Sequence, residues 1–92
     1  MWFVYILQCH DNSYYTGMTS DIKDRIIRHN QGRGPEYTKL RRPVKLIYLE
    51  ECDSQEKALK RELEIKKFSR ANKERLMKFG LGKRFPSAPQ QN

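Results

Sequence analysis

The chain has 92 residues, 37% apolar and 33% charged, with a formal net charge of +8 and a sequence pI near 9.7. That length limits it to one small domain with a thin core. So large a positive surplus points to a polyanionic partner; nucleic acid is favoured over a membrane, because no apolar run approaches spanning length and no basic helix carries a broad aromatic face.

The first element is FVYILQC, residues 3–9. Phe3, Tyr5, Leu7 and Cys9 alternate with Val4, Ile6 and Gln8, and both faces are mostly apolar, which suits a central strand. No basic segment precedes this apolar start and no small-residue cleavage site follows, so it reads as a strand of a cytoplasmic protein rather than a signal peptide. HDNS, residues 10–13, is turn chemistry, and YYTGM, residues 14–18, returns as the second arm of a hairpin. Gly17 within that arm marks a bulge or a close backbone approach.

Residues 19–32 read as a helix, with Thr19 or Ser20 as its cap and Gly32 at its end. Residues 33–43, RGPEYTKLRRP, form a basic loop, and residues 44–51 a third strand. Asp53 and Glu56 have capping-box spacing and open a helix over roughly residues 54–68. A second helical stretch follows a break near Ser69. Residues 80–92 read as a flexible basic tail behind a single domain of residues 1–79. The predicted fold is α+β, a three-stranded antiparallel sheet flanked by helices in the order β-β-α-β-α-α. Cys9 and Cys52 each end an apolar segment and read as small buried hydrophobes, without disulfide or zinc spacing.

Three features stand out against this frame. In the helix after the third strand, Ala58, Leu59, Leu63 and Ile65 define the apolar arc, and both Glu62 and Lys66 fall inside it. A carboxylate in a core-facing stripe is expensive without a partner. Either Glu62 pairs with Lys66 one turn on, or it faces a cleft and holds a hard cation. In the preceding helix, Ile22 and Ile26 form the buried stripe, flanked by Arg25 and His29. That pair is either a solvated edge or a site in which arginine clamps a phosphate and histidine moves a proton. Tyr37 stands among Arg33, Lys39, Arg41 and Arg42, where it either stacks on a base or covers the core edge.

These residues together resemble the GIY-YIG nuclease family. VYI at residues 4–6 and YTG at residues 15–17 are similar to its two half-motifs. Arg25 lies ten residues beyond Tyr15, His29 follows one turn later, Glu62 sits in KRELEIKK, and Asn72 matches an asparagine on the next helix. The likeness runs over roughly residues 2–79 and is nearest to the small stand-alone bacterial, YhbQ-like members. The first half-motif reads VYI rather than GIY, but its tyrosine is kept. Met18 stands where the repair-nuclease branch carries a lysine, so no lysine role carries over.

The resemblance implies phosphodiester hydrolysis at one divalent ion, Mg²⁺ or Mn²⁺, held by Glu62. Tyr5 or Tyr15 would orient or deprotonate the attacking water, with His29 or Tyr37 assisting, and Arg25 would neutralise phosphoryl charge. Gly17 would be structural. Arg33, Lys39, Arg41, Arg42, Lys66 and Asn72 would contact nucleic acid, DNA in preference to RNA. The leading expectation is an endonuclease acting on DNA, on branched or damaged substrates in repair or recombination. Two alternatives are a binding module that does not cut and a subunit that works with a protein partner in a repair assembly.

Overall fold

The structure, a computed structural model, describes residues 1–85. Its sheet is built on β1 (Trp2–Gln8), which pairs antiparallel with β2 (Tyr14–Thr19) on one side and β3 (Lys45–Cys52) on the other. The hairpin between β1 and β2 is closed by the Cys9 N–H donating to Ser13 O at 2.8 Å. Asn12 turns the chain in the left-handed region at φ 69°.

Two elements depart from the sequence reading. A fourth strand, β4 (Lys83–Arg84), pairs with β3, so the sheet order is β2-β1-β3-β4 rather than three strands. A short helix, α2 (Glu36–Lys39), interrupts the basic loop. With α1 (Ile22–Asn30), α3 (Gln55–Lys66) and α4 (Arg70–Phe79), the element order is β-β-α-α-β-α-α-β. Main-chain bonds hold β4, with Phe85 N–H donating to Ile47 O at 2.9 Å, so no side-chain alternation announced it. It lies in the segment read as tail: residues 80–85 belong to the fold, and residues 86–92 lie outside the described residues.

The apolar interior falls into two clusters, one on each face of the sheet. Val4, Ile6, Ile47 and Tyr48 pack under Ala58 and Ile65 of α3, with Leu76 and Met77 of α4 against them. Tyr5, Leu7, Cys9 and Val44 pack under Ile22 and Ile26 of α1. A register shift opposite Ile6 and Leu7 puts an extra residue into β3. This bulge turns the adjacent Ile47 and Tyr48 to the same cluster, while Leu46 and Leu49 join the other.

The helix starts differ from the expected caps. Asp21 caps α1, accepting from Asp24 N–H at 3.1 Å, while Thr19 Oγ1 accepts from Asp21 N–H. Ser54 rather than Asp53 caps α3, accepting from Lys57 N–H at 3.2 Å. Ser69 caps α4 at the expected break. The inward stripe of α3 is Ala58, Glu62 and Ile65; Leu59 and Leu63 are half exposed, so the arc is narrower than its leucines suggested. On α1, Ile22 and Ile26 are only partly covered, and the fully buried residue is His29.

Candidate active site

Tyr5 projects from β1 toward β2, where the partner residue is Gly17. A side chain at Gly17 would put its Cβ 2.5 Å from the Tyr5 hydroxyl, so only glycine lets the phenol lie across this strand. Beyond the hairpin, α1 carries His29 down onto the same face. Its Nε2 is 3.0 Å from the Tyr5 hydroxyl, and its Nδ1 is 2.8 Å from Thr38 Oγ1 on α2. Tyr5, His29 and Thr38 are all fully buried. Gly34 makes room for the second bond, since a Cβ there would meet His29 Nδ1 at 2.6 Å.

Tyr15 lies beside this chain, half covered. Its ring is 5.4 Å from the His29 imidazole, 6.5 Å from Tyr5 and 6.1 Å from Tyr37, with which it stacks. Tyr37 comes from α2, not from an open loop, and the Arg41 guanidinium sits over its ring, 3.9 Å from the centroid. The two candidate tyrosines thus separate: the Tyr5 hydroxyl meets an imidazole, while that of Tyr15 has no hydrogen bond among the described residues.

Charge converges on the same place. Burial raises the pKa of Tyr5 most, Tyr15 adds to it, and Arg25 opposes both. Burial also raises that of Tyr15, with the Glu62 carboxylate adding and Arg25 opposing. Arg25 and Glu62 therefore lie within electrostatic reach of both phenols. His29 is pushed below the ordinary histidine value, first by burial and then by Arg25, so its imidazole is neutral at pH 7.

Glu62 is buried on α3, and its one ion-pair partner among the described residues is Lys66 at 3.5 Å. The expected pairing with Lys66 is present, and the carboxylate also faces inward. No group of three His, Cys, Asp or Glu side chains among the described residues forms a metal site. What Glu62 offers is one hard oxygen donor, which fits Mg²⁺ or Mn²⁺ provided that substrate phosphate and water complete the shell. Beside Gly17, Thr16 has a buried hydroxyl without a partner among the described residues.

The expected nucleic-acid contacts are more dispersed. Arg41 donates to Tyr37 O at 3.0 Å and pairs with Asp11 at 3.1 Å, and Arg42 donates to Lys39 O at 3.1 Å. These arginines stitch the segment around α2 together. Arg33 and Lys39 are exposed nearby, and Arg33 donates to Gln31 Oε1 at 3.3 Å. Asn72 is exposed in the first turn of α4, where its backbone N–H meets the Ser69 cap. Thr38 and Gly34 were not singled out from the sequence; a threonine in a basic loop carries no signal of its own.

The architecture and this cluster define a chain of the GIY-YIG class. The GIY-YIG catalytic domain family matches residues 1–75, and the chain belongs to that family. Among its relatives, a UPF0213 protein of Staphylococcus saprophyticus is 54% identical over 78 residues, covering 85% of this chain and 95% of that one. A UPF0213 protein of Staphylococcus epidermidis is 49% identical, over 85% and 95% of the two chains. The solution structure of the UPF0213 protein BH0048 of Bacillus halodurans is also similar. It has TM-score 0.55 and 43% identity and covers 85% of this chain and 84% of its own. Protein EF2693 of E. faecalis gives TM-score 0.58 and 37% identity over 83% and 81%. No helix among the described residues is long and apolar enough to cross a membrane.

Proposed function

We propose that this protein is a metal-dependent endonuclease that hydrolyses DNA phosphodiester bonds in the cytoplasm, with branched or damaged DNA in repair or recombination as its substrate class. The observation that carries the reading is the bond between the Tyr5 hydroxyl and His29 Nε2 at 3.0 Å. A phenol with a raised pKa is a poor base by itself. A neutral imidazole in contact with it gives the proton somewhere to go.

In this reading Tyr5 accepts a proton from the attacking water as its own proton passes to His29. Tyr15 and Tyr37 form the stacked aromatic wall that keeps water off the imidazole. Arg25 supplies positive charge beside the phenols, where phosphoryl oxygens gain negative charge. Glu62 is the ligand for one divalent ion, Mg²⁺ or Mn²⁺, which when bound supplies Lewis-acid stabilisation of the phosphate and the leaving oxygen. Lys66 neutralises Glu62 until then, and with Arg33, Lys39, Arg41 and Arg42 it contributes the basic surface for the backbone, to which Asn72 adds a neutral hydrogen-bonding amide. A protein partner that delivers the substrate fits a domain this small.

The competing reading is a binding module that does not cut. It draws on the Lys66–Glu62 ion pair, which already neutralises the candidate metal ligand. Labelled duplex, single-stranded, flap and four-way-junction DNAs, each with Mg²⁺ or Mn²⁺, separate the two. The expected result is cutting by the wild type and a loss of about a hundredfold or more in Glu62→Gln and Arg25→Ala, with binding retained. Equal cutting by wild type and Glu62→Gln, or binding without cutting on every substrate, would overturn the nuclease reading.

A further inference from the structure

The buried chain continues beyond His29. Thr38 Oγ1 lies 3.1 Å from Pro35 O, a contact in which only the hydroxyl can donate. A hydroxyl has one proton. With that proton directed at the Pro35 carbonyl, the 2.8 Å contact between Thr38 Oγ1 and His29 Nδ1 requires the ring nitrogen to donate. His29 is neutral, so Nε2 is then bare and accepts from the Tyr5 hydroxyl. All the protons in the chain point one way, from phenol to imidazole to hydroxyl to carbonyl.

We infer that Thr38 is a positioning residue that holds His29 in its Nδ1–H form and thereby keeps Nε2 open to the Tyr5 proton. The inference rests on the nuclease reading of the site for its consequence, but the tautomer is a property of the folded protein alone. Three features make it more than a packing contact. Thr38 and His29 are both wholly buried, so no water competes for Nδ1. Pro35, which opens α2, has a carbonyl that also receives the Lys39 N–H at 2.9 Å, so the helix itself fixes the acceptor. Gly34 leaves the space through which the two side chains meet, since a Cβ would also press on Thr38 Oγ1 at 3.1 Å. Without Thr38, the imidazole can put its proton on Nε2, and Tyr5 would then face a donor instead of an acceptor.

The test uses full-length wild type, Thr38→Val, which keeps the shape and removes the hydroxyl, and Thr38→Ser, which restores the hydroxyl. Long-range proton–nitrogen NMR of the histidine rings reports the His29 tautomer directly. Wild type and Thr38→Ser are expected to show protonated Nδ1 and bare Nε2, and Thr38→Val to lose that preference. With the DNA panel and Mg²⁺, Thr38→Val should lower kcat on the order of tenfold or more with KM little changed, and Thr38→Ser should recover most of it. A wild-type Nε2–H tautomer, an unchanged tautomer in Thr38→Val, or a changed tautomer with undiminished cutting would each overturn the inference. If wild type cuts no DNA, the nuclease reading fails, and the tautomer measurement decides the inference separately. Should Thr38→Val not fold, the wild-type tautomer and the Thr38→Ser kinetics still decide it.

Discussion

Two tyrosines on neighbouring strands, Tyr5 of β1 and Tyr48 of β3, are equally buried, and burial is the main cause of the raised pKa of each. Their surroundings differ. The Tyr48 hydroxyl donates to Glu50 Oε2 at 2.6 Å and accepts from Gly82 N–H at 3.1 Å. Arg61 grips the same carboxylate through two nitrogens, at 2.8 and 3.0 Å. Burial would raise the pKa of Glu50, but bonds from Arg61 and Tyr48 outweigh it and hold the carboxyl below its usual range. A proton between a phenol and a stabilised carboxylate stays where it is. The Tyr5 hydroxyl meets a neutral imidazole, a base with an empty site. The first network ties β4 and α3 to the sheet; in the proposed reading, the second moves a proton.

Breaking the first network should give the largest change in stability. Arg61→Ala leaves Glu50, whose side chain is 14% exposed, without its bidentate partner. The expected cost is about 2 kcal/mol in urea unfolding, with cutting by the remaining folded protein unchanged. A loss of cutting at undiminished stability would erase the distinction between the networks.

A smaller effect sharpens the second network. The folded-state pKa of His29 is lowered, with Tyr5, Tyr15 and Arg25 as the titratable and charged groups around it. Between the unfolded value near 6.5 and the lowered folded value, the unfolded chain binds the extra proton. Stability from His29 is therefore fully present above about pH 6.5 and falls as pH drops toward the folded value. Thermal unfolding of wild type should weaken between pH 7.5 and 5.5, a window above the Glu50 titration, and His29→Gln should flatten that slope. An equal slope in both would show that His29 is not held neutral.

What could be read from the sequence follows from how each feature is encoded. The three long strands are dense in β-branched and aromatic residues, and the observed limits lie within a residue of those expected. That Glu62 faces inward was readable from its place in the helix stripe, and the harmless partner expected for it, Lys66 one turn on, is present. The same stripe was drawn too wide, because Leu59 and Leu63 look like core residues while Ala58 is the one flush against the sheet. His29 was expected beside the core, on a solvated edge or in a site, and is wholly buried because α2 closes over it. That four-residue helix and the two-residue β4 are too short to leave a periodic pattern. Thr38 became visible only once the fold brought it against His29.

The central claim is that Tyr5 passes a proton while Tyr48 only holds the fold. It is tested most directly by measuring DNA cleavage and urea unfolding on the same preparations of Tyr5→Phe and Tyr48→Phe. Each loses about 1 kcal/mol of stability, because each leaves a buried partner unsatisfied. Cutting should fall on the order of a hundredfold in Tyr5→Phe and stay near wild type in Tyr48→Phe. Undiminished cutting by Tyr5→Phe, or an equal loss in both, would contradict the account.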